Sequence, residues 1–108
     1  MRWYKKLYVG PSVVDSKKIQ KKAALGMGMV GVYYITLASL PGNLLDIFHN
    51  GMLKQPLFLE RQCTDIVGVA IGKQEAYRLT EQILMELYQQ TGGFDVRCYF
   101  KEEDFEDD

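Results

Sequence analysis

The sequence has few of the cysteine and histidine residues on which small disulfide-bonded, metal-bound or secreted domains depend. It holds only two cysteines, Cys63 and Cys98, and one histidine, His49. A disulfide-rich secreted domain usually carries four or more cysteines, and neither a Cys-x-x-Cys pair nor a zinc-ligand spacing occurs here. We therefore expect both cysteines to be reduced and to lie in the core, and we expect no metal site.

Long apolar runs are also missing. The longest, residues 30–40, is too short to cross a bilayer and is interrupted by Thr36 and Ser39. Residues 1–6 are mixed in character, and no apolar segment of the secretion-signal type follows them. These features predict a cytoplasmic protein that does not enter a membrane.

What remains is a globular composition over 108 residues, with 47% hydrophobic and 25% charged side chains. A chain of this length buries roughly two thirds of its unfolded surface around one core. We expect a single α/β domain over residues 1–100 and a disordered acidic tail over residues 101–108. Phe105 within that tail is a candidate anchor for a partner or cap for an edge strand.

The clearest secondary-structure pattern is a helix over residues 73–90. Apolar residues recur there at helical spacing, Gly72 can cap its start and Gly92 follows its end. Residues 65–71, before it, are almost continuously apolar, as in a strand covered on both faces. Residues 94–100, after it, alternate between apolar and polar, which is typical of an edge strand.

The first third of the chain predicts two more strands with a helix between them. Residues 3–9 and 30–38 are rich in aromatic and β-branched side chains. A helix running to Leu25 is capped by Ser12 or by Asp15.

The middle of the chain contains a short predicted helix and an irregular segment. Asn43 is placed to cap a short helix over residues 44–49. Pro56 disfavours a helix within residues 52–62, where residues 57–59 form either a short strand or a buried loop.

Together these patterns predict an α/β fold of order βαβαβαβ, with about four mostly parallel strands and three helices. A strand, helix and strand joined by short turns normally form a right-handed parallel unit. Residues 30–38 and 66–71 should then lie side by side and point the same way. A ferredoxin-like α+β fold with some antiparallel pairing is the alternative.

Residues 34–39, 43–47, 66–76 and 91–96 resemble a small group of conserved hypothetical bacterial proteins. The resemblance spans most of residues 30–100 and leaves out the basic first helix and the acidic tail. It implies a bacterial protein of unknown function, since no activity is assigned to that group.

A ligand site is predicted from topology alone. In a parallel sheet, ligands bind beyond the carboxyl ends of the strands, where helix N-termini can receive anions. The turn residues at those ends are Gly10, Ser12, Ser39, Asn43 and Lys73. We expect these residues to converge if the chain binds an anion or a phospholigand.

No motif in the sequence assigns a catalytic residue or a cofactor. The glycine run of residues 26–31 has the letters of a dinucleotide fingerprint, but it follows a helix and precedes a strand, the reverse of the order that phosphate binding needs. We interpret it as a helix stop and a connector. No Gly-x-Ser-x-Gly elbow occurs, and no motif links His49 to a cysteine.

Charge is strongly segregated although the net charge is -1. Residues 1–25 carry seven basic side chains against one acid, and residues 101–108 carry six acids against one lysine. The basic patch consists of Lys17, Lys18, Lys21 and Lys22. Three interpretations remain open: a solvated helix face, a site for an anionic partner, or a site for the protein's own acidic tail. An isoelectric point of about 5.8 and the lack of aromatics among the lysines argue against nucleic acid.

Seven tyrosines and five phenylalanines in so small a domain must leave some aromatic rings exposed. Together with a C-terminal edge strand, this favours a homodimer. We therefore expect a non-catalytic accessory or protein-interaction module that self-associates and buries Trp3 or the edge strand in its interface. The alternative is a small enzyme or anion-binding domain that uses the strand-end turns.

Overall fold

Strand β4 (Asp65–Ile71) lies at the centre of a five-stranded sheet in the computed structural model, which describes residues 1–107. Its apolar run matches its position, because Ile66, Val67, Val69 and Ala70 are fully buried. The other strands are β1 (Arg2–Val9), β2 (Val32–Leu37), β3 (Leu45–His49) and β5 (Phe105–Asp107), and the order across the sheet is β3-β2-β4-β1-β5. The predicted α/β class is confirmed.

The directions of the strands correct the predicted topology. Within residues 1–107, β1 and β4 form the one parallel pair, whereas β2–β4, β2–β3 and β1–β5 are antiparallel. The prediction of a mostly parallel sheet is therefore wrong. Residues 30–38 and 66–71 do lie side by side but run in opposite directions, with Val32 opposite Ile71. The sheet is mixed and mostly antiparallel.

The short helix predicted over residues 44–49 is instead strand β3, which pairs antiparallel with β2. Leu45 and Ile47 pack on one face of the sheet and Phe48 packs on the other. A short run with apolar residues on both faces lacks the clean alternation that separates a strand from a helix. The β2–β3 connection is therefore a hairpin, which reverses the chain, and not the start of a crossover helix.

Helices cover both faces of the sheet. They are α1 (Ser16–Ala24), α2 (Pro56–Arg61), α3 (Lys73–Thr91) and α4 (Val96–Tyr99), with 3₁₀ helices at Asn50–Lys54 and Glu102–Asp104. Helices α3 and α4 pack over the face that contains Ile35 and Val67, and α1 and α2 pack over the face that contains Tyr34 and Ile66. An α+β fold would gather its helices on one face, so the ferredoxin-like alternative matches the antiparallel pairing but not the layers.

The two long helices begin and end close to where the sequence predicts. Asp15 caps α1, with its carboxylate accepting a hydrogen bond of 3.1 Å from the Lys18 backbone N–H. Helix α3 follows Gly72 and ends at Gly92, whose left-handed backbone glycine adopts at little cost. In the part of the chain that the structure describes, no helix is long and apolar enough to cross a bilayer.

The ambiguous segment of residues 52–62 is helical. The first 3₁₀ helix is followed by α2, and Pro56 occupies the first turn of α2, where its missing N–H has no intrahelical partner to lose. The ring of Phe58 packs against Phe48 at 5.3 Å between centroids, which seals this face of the sheet next to β3. Pro56 therefore marks the start of a helix and not its interruption.

The edge strand predicted over residues 94–100 is the single-turn helix α4. Asp95 caps it by accepting a hydrogen bond of 3.2 Å from the Cys98 N–H. Val96 and Phe100, four residues apart, are both buried against the cluster that α3 covers. The alternating pattern that predicts a strand also contains this four-residue spacing, and the contacts with α3 favour the helix.

The edge of the sheet is instead formed by the acidic C-terminal segment, which was expected to be a disordered tail. Strand β5 pairs antiparallel with residues 2–4 of β1. The Phe105 ring is buried beside Tyr4 at 5.7 Å between centroids, and the Arg2 guanidinium lies 5.3 Å from the same ring. Arg2 also forms a salt bridge with Glu102. The Phe105 ring and the Arg2 guanidinium therefore hold this segment against β1.

We expect Phe105→Ala to lower the free energy of unfolding by about 3 kcal/mol, because it removes a buried ring from the contact between β5 and β1. Glu103→Ala, at an exposed position of the same segment, is the matched control and should change it by less than about 0.5 kcal/mol. Urea unfolding followed by circular dichroism measures both variants. Equal effects would contradict the packing of this segment on the sheet.

Acid should destabilise the fold through Asp65. Arg2 holds the pKa of this carboxyl below its usual range by hydrogen bonds of 2.8 and 2.7 Å. A group whose folded pKa lies below its unfolded pKa contributes stability above the unfolded value, and that stability is lost as the pH falls through the folded value. We expect the free energy of unfolding to decline between about pH 5 and pH 2, and to decline less steeply in Asp65→Asn.

The control for this pH profile is Glu60→Gln, a charge-neutralising change at an exposed position of α2. Its decline with acid should parallel that of the wild type. An Asp65→Asn profile that also parallels the wild type would show that the pair with Arg2 does not contribute to acid stability.

Candidate interaction surface

The five residues predicted to form a ligand site lie at two opposite ends of the sheet. Gly10, Ser12 and Lys73 follow the carboxyl ends of β1 and β4, which are parallel neighbours. Ser39 and Asn43 follow β2, and β2 runs antiparallel to β4. The predicted convergence therefore does not occur, because it required β2 and β4 to be parallel.

At the first of these ends, the protein's own carboxylate occupies the backbone amides. Glu75 in the first turn of α3 accepts hydrogen bonds from the Ser12 N–H at 3.0 Å and the Ile71 N–H at 2.7 Å. Burial raises the pKa of Glu75, but these hydrogen bonds lower it more, so the net pKa lies below the usual range. An external anion at this turn would have to displace the Glu75 carboxylate.

Gly10 makes room for that carboxylate. A β-carbon at this position would lie 2.7 Å from Cδ of Glu75 and closer still to one of its oxygens. Lys73, the remaining predicted residue, is exposed, and its ammonium lies 6.0 Å from the centre of the Tyr77 ring. The residues at this end thus join β1, β4 and α3 to each other.

At the opposite end, Ser39 and Asn43 line an open groove of about 460 Å³ between the β2–β3 loop and the segment before α4. The Ser39 hydroxyl accepts a hydrogen bond from the Cys63 N–H at 2.7 Å, and the Ser39 N–H donates to Asp46 at 2.9 Å. On the other wall, Arg97 donates to the Ala38 carbonyl at 2.8 Å. These polar groups hold the loop against its neighbours.

Gln62 completes the polar network behind this loop. Its side-chain amide nitrogen, with two N–H groups, has three acceptors within reach: the Thr36 hydroxyl and an Asp46 carboxylate oxygen, both at 3.1 Å, and the Cys63 carbonyl at 3.0 Å. Thr36 is fully buried, so the network satisfies polar groups that would be costly to leave unpaired. Its role in the structure is to close the end of the sheet.

Cys98 and His49 each contact a residue close to them in the chain. Both cysteines are free, and Cys98 is exposed, so the expectation that both lie in the core is wrong for Cys98. Asp95 raises the pKa of the Cys98 thiol, which lowers its thiolate content. His49 accepts a hydrogen bond from the Gly51 N–H at 3.1 Å. Among residues 1–107, no three His, Cys, Asp or Glu side chains gather as metal ligands.

The most distinctive surface is apolar. Tyr88 near the end of α3 is 50% exposed and stacks on Phe94, which is 47% exposed, at 5.2 Å between ring centroids. Phe94 also lines the groove together with the exposed side chains of Leu40 and Leu44. We call Leu40, Leu44, Tyr88 and Phe94 the apolar face.

The sequence contained a signal for this surface that the prediction did not use. Helix α3 buries Ala76, Leu79, Ile83 and Leu87 against the sheet. Tyr88 widens the apolar stripe of this helix, since it lies about 100° further around the helix than Leu87 and is half exposed. An apolar stripe that is wider than the surface covered by the sheet indicates that its outer residues contact a second surface.

Trp3 was the other residue expected in a dimer interface. It is 3% exposed and belongs to the protein's own core.

The basic patch is divided between two grooves. Lys17 and Lys21 line a groove that also contains Glu106 of β5. Lys18 and Lys22 line a different groove, on the other side of α1. Lys17 and Lys21 therefore lie beside the acidic C-terminal segment, and Lys18 and Lys22 line the groove on the other side of α1.

Comparison of the chain with protein-family models, curated proteins and solved structures finds no match of any of the three kinds. The class of protein is defined by its own architecture, which is an α/β domain with a mixed, mostly antiparallel sheet of five strands and helices on both faces.

We expect Gly10→Ala to destabilise the fold by about 1–3 kcal/mol, because the added methyl forces Glu75 away from the amides of Ser12 and Ile71. Gly93→Ala is the matched control, since a β-carbon there meets open space. In a Glu75→Ala background the cost of Gly10→Ala should largely disappear. An undiminished cost in that background would contradict this role of Gly10. Urea unfolding measures the wild type and all four variants.

Proposed function

We propose that this protein is a non-catalytic protein-interaction module that self-associates through its apolar face. The stacked pair of Tyr88 and Phe94, with half of each ring exposed beside Leu40, carries the proposal. Large exposed aromatic groups are costly on a monomer and are enriched at the centres of protein interfaces. Rings already stacked on one another lose little side-chain freedom when a partner covers them.

The polar groups of the molecule support the non-catalytic part of the proposal. Glu75 occupies the amides at one end of the sheet, and Gln62 and Ser39 are engaged in closing the other end. Catalysis needs acids, bases or nucleophiles that are free to reach a substrate and have matched pKa values. The exposed thiol of Cys98 is shifted away from its reactive form.

Charge supports a second copy as the occupant of the apolar face. The net charge of -1 leaves little repulsion between identical chains. A two-fold axis through the groove would place Phe94 and Leu40 of one copy near the same residues of the other, which buries apolar area symmetrically.

The test is sedimentation equilibrium of the wild type and of a variant with both Tyr88→Glu and Phe94→Glu. We expect the wild type to dimerise, and the variant to raise the dissociation constant by at least about tenfold, because carboxylates would be buried or brought together at the interface. The control is Leu57→Glu, a leucine that is 77% exposed on α2, away from the apolar face. Circular dichroism confirms that each variant is folded.

Three outcomes would overturn the proposal. The first is a wild type that stays monomeric at about 100 μM, and the second is a control that dissociates as much as the double variant. The third is a thermal shift of several degrees with inorganic phosphate or a nucleotide that is lost in Ser39→Ala, which would support the anion-binding alternative instead.

A further inference from the structure

Two valines project from the molecule at the end of the sheet where β1 and β4 end. Val14 is 100% exposed and lies between β1 and α1, and Val30 is 99% exposed and lies in the segment that leads into β2. Strand β2 begins at this same end, because Val32 is opposite Ile71, the last residue of β4. Neither valine side chain contributes to the packing of the domain.

An open groove lies between the two segments that carry these valines. Its volume is about 460 Å³, and its apolar lining consists of Val13, Val14, Ile19, Met29 and Ile71. Met29 directly precedes Val30 in the chain, so the apolar lining of the groove extends to both projecting side chains.

The same groove is bordered by two lysines of α1, Lys18 and Lys22. Residues 16–30 hold four lysines and no acid, and the carboxylates of β5 lie beside the other two lysines. Asp15 is the one acid that lines the groove, and it caps α1 through the Lys18 N–H. The local field is therefore cationic, although the net charge of the chain is -1, because charges act mainly within a screening length of about 10 Å.

We propose that this surface, formed by Val14, Lys18, Lys22, Met29 and Val30, binds the face of an anionic lipid bilayer. Lys18 and Lys22 would contact the headgroups, and the two valines would enter the boundary between headgroups and acyl chains. Apolar side chains next to lysines are the combination that segments lying on membranes use. Since the contact is with the bilayer surface, it needs no helix that crosses the bilayer. We call these five residues the loop surface.

The shape of the loop surface favours a bilayer over other anionic partners. A protein partner buries an apolar side chain in a closely packed site that fits it, whereas the boundary region of a bilayer accepts side chains that simply project. Nucleic acid would contact the lysines but would leave both valines in water, and the loop surface has no aromatic ring on which a base could stack.

The loop surface is separate from the apolar face. Leu40 and Leu44 of the apolar face lie at the opposite end of the sheet, and Tyr88 lies on α3, which covers the opposite face from α1. The proposal therefore goes beyond self-association and does not depend on it. Replacing the two lysines in the Tyr88→Glu, Phe94→Glu background should weaken membrane binding by the same factor as in the wild type, so the failure of either proposal is distinguishable from the failure of the other.

The probe is a suspension of phosphatidylcholine vesicles with about 30% phosphatidylglycerol, and co-sedimentation measures the binding of the full-length protein. We expect the variant with Lys18→Gln and Lys22→Gln to bind at least about tenfold more weakly, and the wild type to lose as much on pure phosphatidylcholine. The matched control carries Arg78→Gln and Lys101→Gln, two exposed cations outside α1, and should bind as the wild type.

The apolar contribution has its own variant. Val14→Ser with Val30→Ser should weaken binding by at least about threefold, because fewer apolar groups leave water. The same change should leave the urea midpoint where it is, since both side chains are almost fully exposed. The control is Tyr77→Ser with Met85→Ser, two half-exposed positions of α3, and should bind as the wild type. Circular dichroism confirms that each variant is folded.

Insertion is observed directly with Val30→Trp. Its fluorescence should move to shorter wavelength when vesicles are added, and brominated lipids should quench it. Trp3 is buried in the core and supplies a constant background.

Several outcomes would overturn the proposal. They are no binding at about 1 mM lipid, equal binding to pure phosphatidylcholine, or equal losses in the two cation variants. Fluorescence of Val30→Trp that stays unchanged on bound protein would overturn it too, because the lysines would then act without insertion. Tighter binding of an acidic peptide or a single-stranded oligonucleotide, at the same concentration of anionic groups, would assign the surface to that class of partner instead.

Discussion

The pairing of β2 with β4 buries the middle of both strands on both faces, and the placement of the other elements follows from the need to cover them. Tyr34 and Ile35 of β2, and Ile66 and Val67 of β4, have no exposed surface. Neighbouring residues of a strand point to opposite faces, so a single layer of helices could not shield this pair from water. Helix α3 covers one face, and α1, α2 and the first 3₁₀ helix cover the other.

Covering this sheet leaves two surfaces at which neighbouring elements do not match in size. Helix α3 carries more apolar area than β2 and β4 can bury, and the excess appears as Tyr88 stacked on Phe94. At the β1 edge the covering element is too small, since β5 has three residues and β1 has eight. The pairing of β1 with β4 shifts in register between Trp3 and Tyr8, and Lys5 and Lys6 are exposed in this stretch; both features are common protections against uncontrolled strand pairing. The first surface thus results from a mismatch in apolar area between α3 and the sheet, and the second from a mismatch in length between β5 and β1.

The sequence predicted the elements whose pattern is long or unambiguous. Helices α1 and α3 have caps and a repeated apolar spacing, and β4 has an unbroken apolar run, so local chemistry was sufficient for them. Strand β3 and helices α2 and α4 are four to six residues long, and a pattern of that length fits either conformation. For the candidate surfaces, the sequence indicated a surplus of aromatic rings and segregated charge, but it did not show which rings or which lysines share a surface.

Composition and local spacing by themselves determined the α/β class, the two long helices and the central position of β4, because these depend on the periodicity of apolar residues along the chain. The tertiary structure alone decided the direction of β2 against β4, the pairing of the acidic segment with β1 and the entry of Glu75 beneath Gly10. Each of these depends on contacts between residues far apart in sequence. The burial of Phe105 and the hydrogen bonds of the Glu75 carboxylate are possible only when β1 and β4 are in place, so no short window of sequence contains the information.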